Sequence, residues 1–310
     1  MPLEEELSEF SPQKDMLLTI GIFDGVHLGH KYLISRLKEE AARQALLCGV
    51  VTFRQHPKEV LSPQSELPYL TGLTEKVSLL KKEGVDAVVS LSFTLELARY
   101  HPRQFLGLLQ KYLRMNGLVV GTDFALGWKR EGDVAALGQL GKEMGFTLTV
   151  VPPKEMNGMV VSSTAIRRAL AEGDMKKVIS LTGRAYSLQG QVTTGVGRGA
   201  KLGFPTANLE VDSRQAIPAE GVYATRAYLD GKVYQSVTNI GRNPTFGEHR
   251  RTVEIYLLNY QGNLYGRQLR IDIVERLRDE KRFDTVEELK KQIAEDVKQG
   301  KAILDSQAKK

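Results

Sequence analysis

Apolar residues recur along this chain with two different periods, and the change from one to the other divides it. Between residues 16 and 152, short β-rich apolar runs alternate with stretches whose apolar positions fall at helical spacing. The runs are MLLTIGIF, CGVVTF, DAVVSLSF, GLVVG and FTLTVVP; between them stand KYLISRLKEEAARQALL, TEKVSLLKKEG, PRQFLGLLQKYLRMN and AALGQLGKEMG. This alternation predicts an α/β domain, a parallel sheet with helices on both faces. Ser162 to Gly183 predicts two more short helices, the first capped by serine or threonine. From Arg184 to about Arg278 the period becomes two. AYSLQGQV, GVYATRAYLDGKVYQSVTNIG and TVEIYLLNYQGNLYGRQLRIDIVERL read as about six antiparallel strands, with Asp230-Gly231 and Gly262-Asn263 at hairpin turns. Such strands predict a small closed β-barrel. An amphipathic C-terminal helix follows over 285–305. The predicted domains are 1–183 and 184–310.

Composition supports two cores. The chain has 310 residues, 42% hydrophobic and 26% charged, enough for two domains. Its net charge of +6 divides as +1 over residues 1–183 and +5 over 184–310. A basic second half fits anionic ligands such as phosphates, and also weak nucleic-acid affinity. Cys48 is the one cysteine, which excludes an intrachain disulfide and points to a reducing compartment. Its GVVTF context makes it a packed thiol rather than a nucleophile. The N-terminal MPLEEELSEF is acidic and lacks a secretory apolar core. No apolar run approaches the ~18 residues of a membrane span. A soluble cytoplasmic protein is expected.

Two segments carry candidate chemistry. In the first, Phe23, Asp24, His27, Gly29 and His30 fall in GIFDGVHLGH, after an apolar strand and before a helix. Ligands bind at such strand-to-helix turns, where helix N-termini present backbone N–H groups to phosphate. His27 and His30 can then stabilise an α-phosphoryl group as pyrophosphate leaves, with Gly29 permitting close approach. The plainer alternative is a pair of surface histidines at a helix start. VVSSTAIRRAL offers Ser162, Ser163 and Thr164 at a helix N-terminus and Arg167 one turn on, a set able to grip β- and γ-phosphates. An ordinary capped helix with a solvated arginine fits equally.

The second segment is GVGRGAKLGFPTANLE, with Gly197, Gly199 and Gly203 before Pro205. It lacks the Lys-Ser/Thr of a P-loop and the following helix of a dinucleotide fingerprint. What remains is a backbone-exposing loop suited to wrapping phosphates. Thr206 and Asn208 point the same way from an extended segment and suit a hydrated magnesium ion. The alternative is a glycine-rich turn entering an edge strand.

HxGH and SSTxIR together resemble the nucleotidylyltransferase superfamily. Thr52, Phe53, His56 and Pro57, with GTDFALG (Gly121 to Gly127), are similar to the adenylyltransferase half of bacterial bifunctional riboflavin kinase/FAD synthetases. LGFPTAN, PAEGVY, NIGRNPTFG, TVEIYLLNY and LRDEKRF occur in the order seen in riboflavin kinases. The resemblance covers about residues 16–305. It departs from the usual pattern at Gln55, where a proline is common, at DFALG with Trp128, and at Val160 and Val161, where a basic residue is frequent. It implies an α/β nucleotidylyltransferase-like, Rossmann-type parallel sheet followed by an antiparallel riboflavin-kinase-like β-barrel with a C-terminal helix. Riboflavin would be phosphorylated with ATP and Mg2+ to FMN, and FMN adenylylated to FAD. Glu254 is implied as the kinase base, and Asp123, Arg278, Glu280 and Phe283 as flavin-binding. A nucleic-acid-binding protein is the rival, because HxGH also marks class I aminoacyl-tRNA synthetases. The chain is short for a synthetase, and its basic half lacks aromatics interleaved with lysine or arginine runs. No nucleic-acid or membrane partner is therefore expected.

Overall fold

The computed structural model describes the chain apart from residues 1, 63, 65, 66, 195–198, 200, 201, 243–250, 309 and 310. It divides into two compact units, Met1–Ser163 and Thr164–Lys310.

In the first unit, α1 (Leu3–Ser8) precedes β1 (Met16–Ile20), α2 (Leu28–Arg43), β2 (Leu47–Phe53), α3 (Pro57–Leu61), α4 (Leu73–Lys82) and β3 (Ala87–Leu91). Then come α5 (Pro102–Leu113), β4 (Met115–Gly121), β5 (Ala125–Leu126), β6 (Gly132–Asp133), α6 (Val134–Met144), β7 (Thr147–Val151), β8 (Glu155–Met156) and β9 (Met159–Val160). Five strands form one parallel sheet in the order β3-β2-β1-β4-β7. The order reverses between β1 and β4, which is where open α/β sheets hold ligands. Side-chain alternation along each strand builds two cores. Leu18, Ile20, Val51 and Leu118 pack with Leu7, Phe105, Leu109 and Leu137 of α1, α5 and α6. Leu17, Val50 and Val119 pack with Ile34, Leu37 and Leu80 of α2 and α4. Helix α1 was not foreseen. Its Leu7 is fully buried, and its Glu6 carboxylate accepts the Ser92 backbone N–H at 2.8 Å.

The second unit holds most of α7 (Ser163–Glu172), then α8 (Met175–Thr182) and the strands β10 (Tyr186–Thr193), β11 (Ala207–Val211), β12 (Gly221–Leu229), β13 (Lys232–Arg242), β14 (Arg251–Leu257) and β15 (Gln268–Arg278), with α9 (Val286–Ala308) last. The six strands close a barrel in the order β10-β11-β14-β13-β12-β15, as their period predicted. Asp230 and Gly231 both take positive φ, 49° and 75°, and join β12 to β13 as a tight hairpin. Gly262-Asn263 does not make the expected hairpin. β14 and β15 are not barrel neighbours, and residues 258–267 run between them. α9 covers the outer barrel surface through Ala224, Val237, Val274 and Leu304. The division by contacts falls after Ser163, so α8 goes with the barrel.

Candidate functional site

The loop from β1 to α2 has an unusual backbone. Phe23, Gly25 and Val26 take positive φ of 51°, 84° and 35°. Each non-glycine residue in that region costs roughly 1–2 kcal/mol, so the surroundings must hold it. The buried Asp24 carboxylate accepts the N–H groups of Leu70, at 2.8 Å, and Thr71, at 3.1 Å. Thr71 Oγ1 accepts Gly25 N–H at 3.1 Å. Thr52 Oγ1 donates to the Ile22 carbonyl at 3.1 Å. Lys76, only 5% exposed, donates from Nζ to the carbonyls of Ile22, at 3.2 Å, and Phe53, at 2.6 Å. Burial pushes the Lys76 ammonium below its usual value, while Asp24 and Glu59 pull it up.

This loop delivers His27 as the N-cap of α2. His27 Nδ1 accepts His30 N–H, and His30 Nδ1 accepts His27 N–H, both at 3.3 Å. The rings stack 3.6 Å apart at 19°. With both Nδ1 atoms accepting, each neutral imidazole carries its proton on Nε2. The pair is thus a reciprocal cap of α2. Phe23 is buried and packs its ring 5.1 Å from that of His30. The side chains of Phe23 and Asp24 therefore brace the loop, and the Phe23 carbonyl accepts Val26 N–H at 3.1 Å.

The two first-half signatures meet. Ser163 Oγ donates to the Asp24 carbonyl at 2.8 Å. A Cβ on Gly29 would meet the Val161 carbonyl at 2.9 Å and the His27 ring at 3.0 Å. The space freed by Gly29 is filled by the protein itself, so close packing of the VVSST segment is what requires the glycine. Ser162 is half-buried just before α7; on that helix Thr164 is exposed and Arg167 half-buried. Asp123 lies two residues beyond β4 in a cavity of about 330 Å³ lined also by Phe124, Arg130 and Asp133. Of the departures from the usual pattern, Gln55 donates to the Phe93 carbonyl at 2.8 Å, Trp128 is exposed, and Val160 lies exposed on β9. His56 caps α3, its Nδ1 accepting Lys58 N–H at 3.1 Å, with Pro57 in the first helical turn.

In the barrel, the PTAN segment enters β11. The Gly199 carbonyl accepts Leu202 N–H at 3.0 Å and Phe204 N–H at 2.9 Å. A Cβ on Gly199 would collide with the Phe204 carbonyl, and Gly203 takes φ +87°. Both glycines are thus demanded by the turn. Gly197 and the NIGRNPTFG residues beyond Arg242 lie outside the described residues. Pro205 is exposed; Thr206, just before β11, is half-buried, as is Asn208 on one face of that strand. Across that face, Asn208 stands directly opposite Glu254 on β14, and Glu254 opposite Asn239 on β13. Cross-strand partners have Cβ atoms about 4.5–5.5 Å apart. Asn239 Nδ2 also donates to Glu280 Oε1 at 3.3 Å. Val253 and Ile255, which flank Glu254, are buried, so Glu254 projects from the opposite face of β14.

Asn239 and Asp296 were missed by sequence reasoning. Arg278, expected beside the flavin, makes a bidentate pair with Asp296 of α9, Nε–Oδ1 2.8 Å and Nη2–Oδ2 2.7 Å. Its guanidinium carbon lies 5.8 Å from the Phe283 ring centroid. On the sequence Asp296 reads as one more charge on an amphipathic helix. Among the described residues no cluster of three or more His, Cys, Asp or Glu could hold a metal, and no helix is long and apolar enough to cross a membrane.

The histidine-capped loop at the strand ends of a parallel sheet, followed by a barrel whose glycine-rich segment leads to Asn208 and Glu254, gives the chain two candidate transferase sites. Residues 9–165 match the FAD synthetase family model, and residues 182–304 the riboflavin kinase family model. The chain is 39% identical over 288 residues to a bifunctional riboflavin kinase/FMN adenylyltransferase of Escherichia coli K12, covering 92% of each. It is 35% identical over 306 residues to the Pseudomonas fluorescens protein of the same description, covering 98% of each. It therefore belongs to the bifunctional riboflavin kinase/FMN adenylyltransferase family. A solved structure described as a macrolide-efflux protein from Streptococcus pneumoniae superposes with TM-score 0.86 at 28% identity, covering 94% of this chain and 95% of that one.

Proposed function

We propose that this chain makes FAD from riboflavin in two ATP-dependent steps, with the kinase confined to residues 184–310 and the adenylyltransferase to residues 1–183. In the barrel, Glu254 takes the proton from the terminal ribityl hydroxyl as that oxygen attacks the γ-phosphorus of ATP, giving FMN and ADP. The glycine-rich loop through Gly197, Gly199, Gly203 and Pro205 wraps the phosphates with backbone N–H groups. Thr206 and Asn208 would hold Mg2+. Two neutral oxygen-bearing side chains two residues apart, with Glu254 opposite the second, suit a cation that keeps most of its water and takes further ligands from nucleotide phosphates. Bound there, the ion would neutralise charge on the phosphates. Arg278, Glu280 and Phe283 border the flavin, Arg278 in a position fixed by Asp296.

In the α/β unit, a phosphate oxygen of FMN attacks the α-phosphorus of ATP, and pyrophosphate leaves. Charge builds on the α-phosphoryl oxygens as the bond forms. The Nε2–H groups of His27 and His30 and the N-terminus of α2 stabilise it in place. Backbone at Phe23 and Asp24 lines the phosphate path. Ser162 and Ser163, with Thr164 and Arg167 on the helix they begin, hold the departing pyrophosphate. Asp123 lines the flavin side of the crevice. Neither step needs a covalent intermediate on the protein.

The observation that supports the reading is the apposition of Asn208 and Glu254 across β11 and β14; the proposal makes the first a metal ligand and the second the base. Product chromatography from riboflavin, ATP and magnesium tests it: FMN should appear first and FAD after it. Glu254→Gln should slow phosphorylation by roughly 10²–10⁴ while FAD formation from supplied FMN stays normal. An unaltered kinase rate would reduce Glu254 to a strand-surface residue.

A further inference from the structure

We propose that Lys76 is a positioning residue for adenylyl transfer, acting through the carbonyl of Ile22 on the loop that carries His27. The inference deepens the assignment of that reaction to the His27–His30 loop and rests on it. Helix α4 carries three lysines, Lys76, Lys81 and Lys82, and only Lys76 is buried. Lysine is almost never fully buried without partners. Here the partners are the carbonyls of Phe53, the last residue of β2, and Ile22, two residues beyond β1. One ammonium therefore ties together the carboxyl ends of two neighbouring parallel strands.

The backbone just beyond Ile22 gives this tie its importance. The chain runs at once through the positive-φ residues Phe23, Gly25 and Val26, then presents His27 as the cap of α2. A path of that kind persists only where the surroundings over-determine it. The segment 70–76 supplies that restraint from one side. Leu70 and Thr71 grip the Asp24 carboxylate, Thr71 Oγ1 holds Gly25, and Lys76 holds Ile22. Asp24 and Glu59 are the charged groups that favour the ammonium. The segment thus sets where the loop leaves the sheet, and so where the imidazoles stand. Displacing catalytic groups by about 1 Å costs on the order of 10² in rate without a matching loss of binding.

The test uses the full chain with Lys76→Met, which keeps the unbranched stem as far as Cε and removes the ammonium. The kcat for FAD formation from FMN and ATP should fall roughly 30–100-fold, with the KM for ATP changed less than about threefold. Riboflavin phosphorylation by the same sample should be unaltered. In Lys76→Ala, added methylammonium should restore adenylyl transfer saturably, and methanol should not. If Lys76→Met loses both activities by misfolding, Thr71→Val removes only the Gly25 bond of the same clamp, and it should show the same fall in kcat at constant KM. The proposal is overturned by a folded Lys76→Met with wild-type kcat, by a rise in KM alone, or by an unaffected Thr71→Val where Lys76→Met does not fold. Should the unaltered chain make no FAD from FMN, the assignment of adenylyl transfer fails instead.

Discussion

Replacing Asp296 with alanine strips the counter-charge from Arg278 where little water can take its place. The side chains of the pair are 4% and 16% exposed, and Gln292 adds a further bond to the carboxylate at 2.9 Å. Breaking such a buried pair by removing one partner costs about 3–5 kcal/mol, because the remaining charge stays uncompensated. Unfolding a unit of about 150 residues carries roughly 0.3 kcal/mol/K of entropy, so the loss corresponds to about 10–15 °C in its transition. Scanning calorimetry of the full chain reads that shift, with riboflavin phosphorylation measured on the same samples. An apolar pair of similar volume replaces a buried ion pair with little or no loss. The double variant Arg278→Met, Asp296→Leu should therefore recover most of the transition temperature. If Arg278 also contacts the flavin, that double variant stays impaired, with a raised KM for riboflavin. A shift below about 3 °C in Asp296→Ala, or a double variant no more stable than the single, would refute the reasoning.

Three other outcomes are expected. Replacing both His27 and His30 with alanine should lower adenylyl-transfer turnover by at least ~10² while the kinase continues, so FMN accumulates; a rise only in the KM for ATP would mean that the pair binds nucleotide uniformly. A fragment of residues 184–310 should phosphorylate riboflavin yet melt well below one of 164–310. Helix α8 buries Met175, Val178 and Leu181, each contributing roughly 1.5–3 kcal/mol, and equal melting temperatures by circular dichroism would count against it. Burial pushes the Cys48 thiol above its usual value; at pH 8 it should therefore stay protonated and react with a disulfide reagent at least ~10²-fold more slowly than in denaturant.

The period of the apolar pattern was enough to predict the five parallel strands, the barrel and the C-terminal helix, because period reports which face of an element is buried. It does not report partners. That is why Gly262-Asn263 was read as a hairpin turn, although β14 pairs with β11 and β13 and never with β15. A local motif made the His27–His30 pair legible, since helix capping acts over a few residues; the bond from Ser163 to the Asp24 carbonyl spans the whole domain and was not. Asn208 and Glu254 were visible as residue types, but only strand register set them opposite each other. Gly29 was legible as a close approach, yet the approaching group is the Val161 carbonyl, which lies far along the chain. Lys76 and Asp296 were illegible. On a helix a charged residue looks solvated wherever it stands, and only packing decides which one is buried with its partners. The linear pattern of residues settled the elements and the chemical groups on offer. Folding selected which of those groups meet, because burial and cross-strand register are properties of the assembled layers and not of any segment alone.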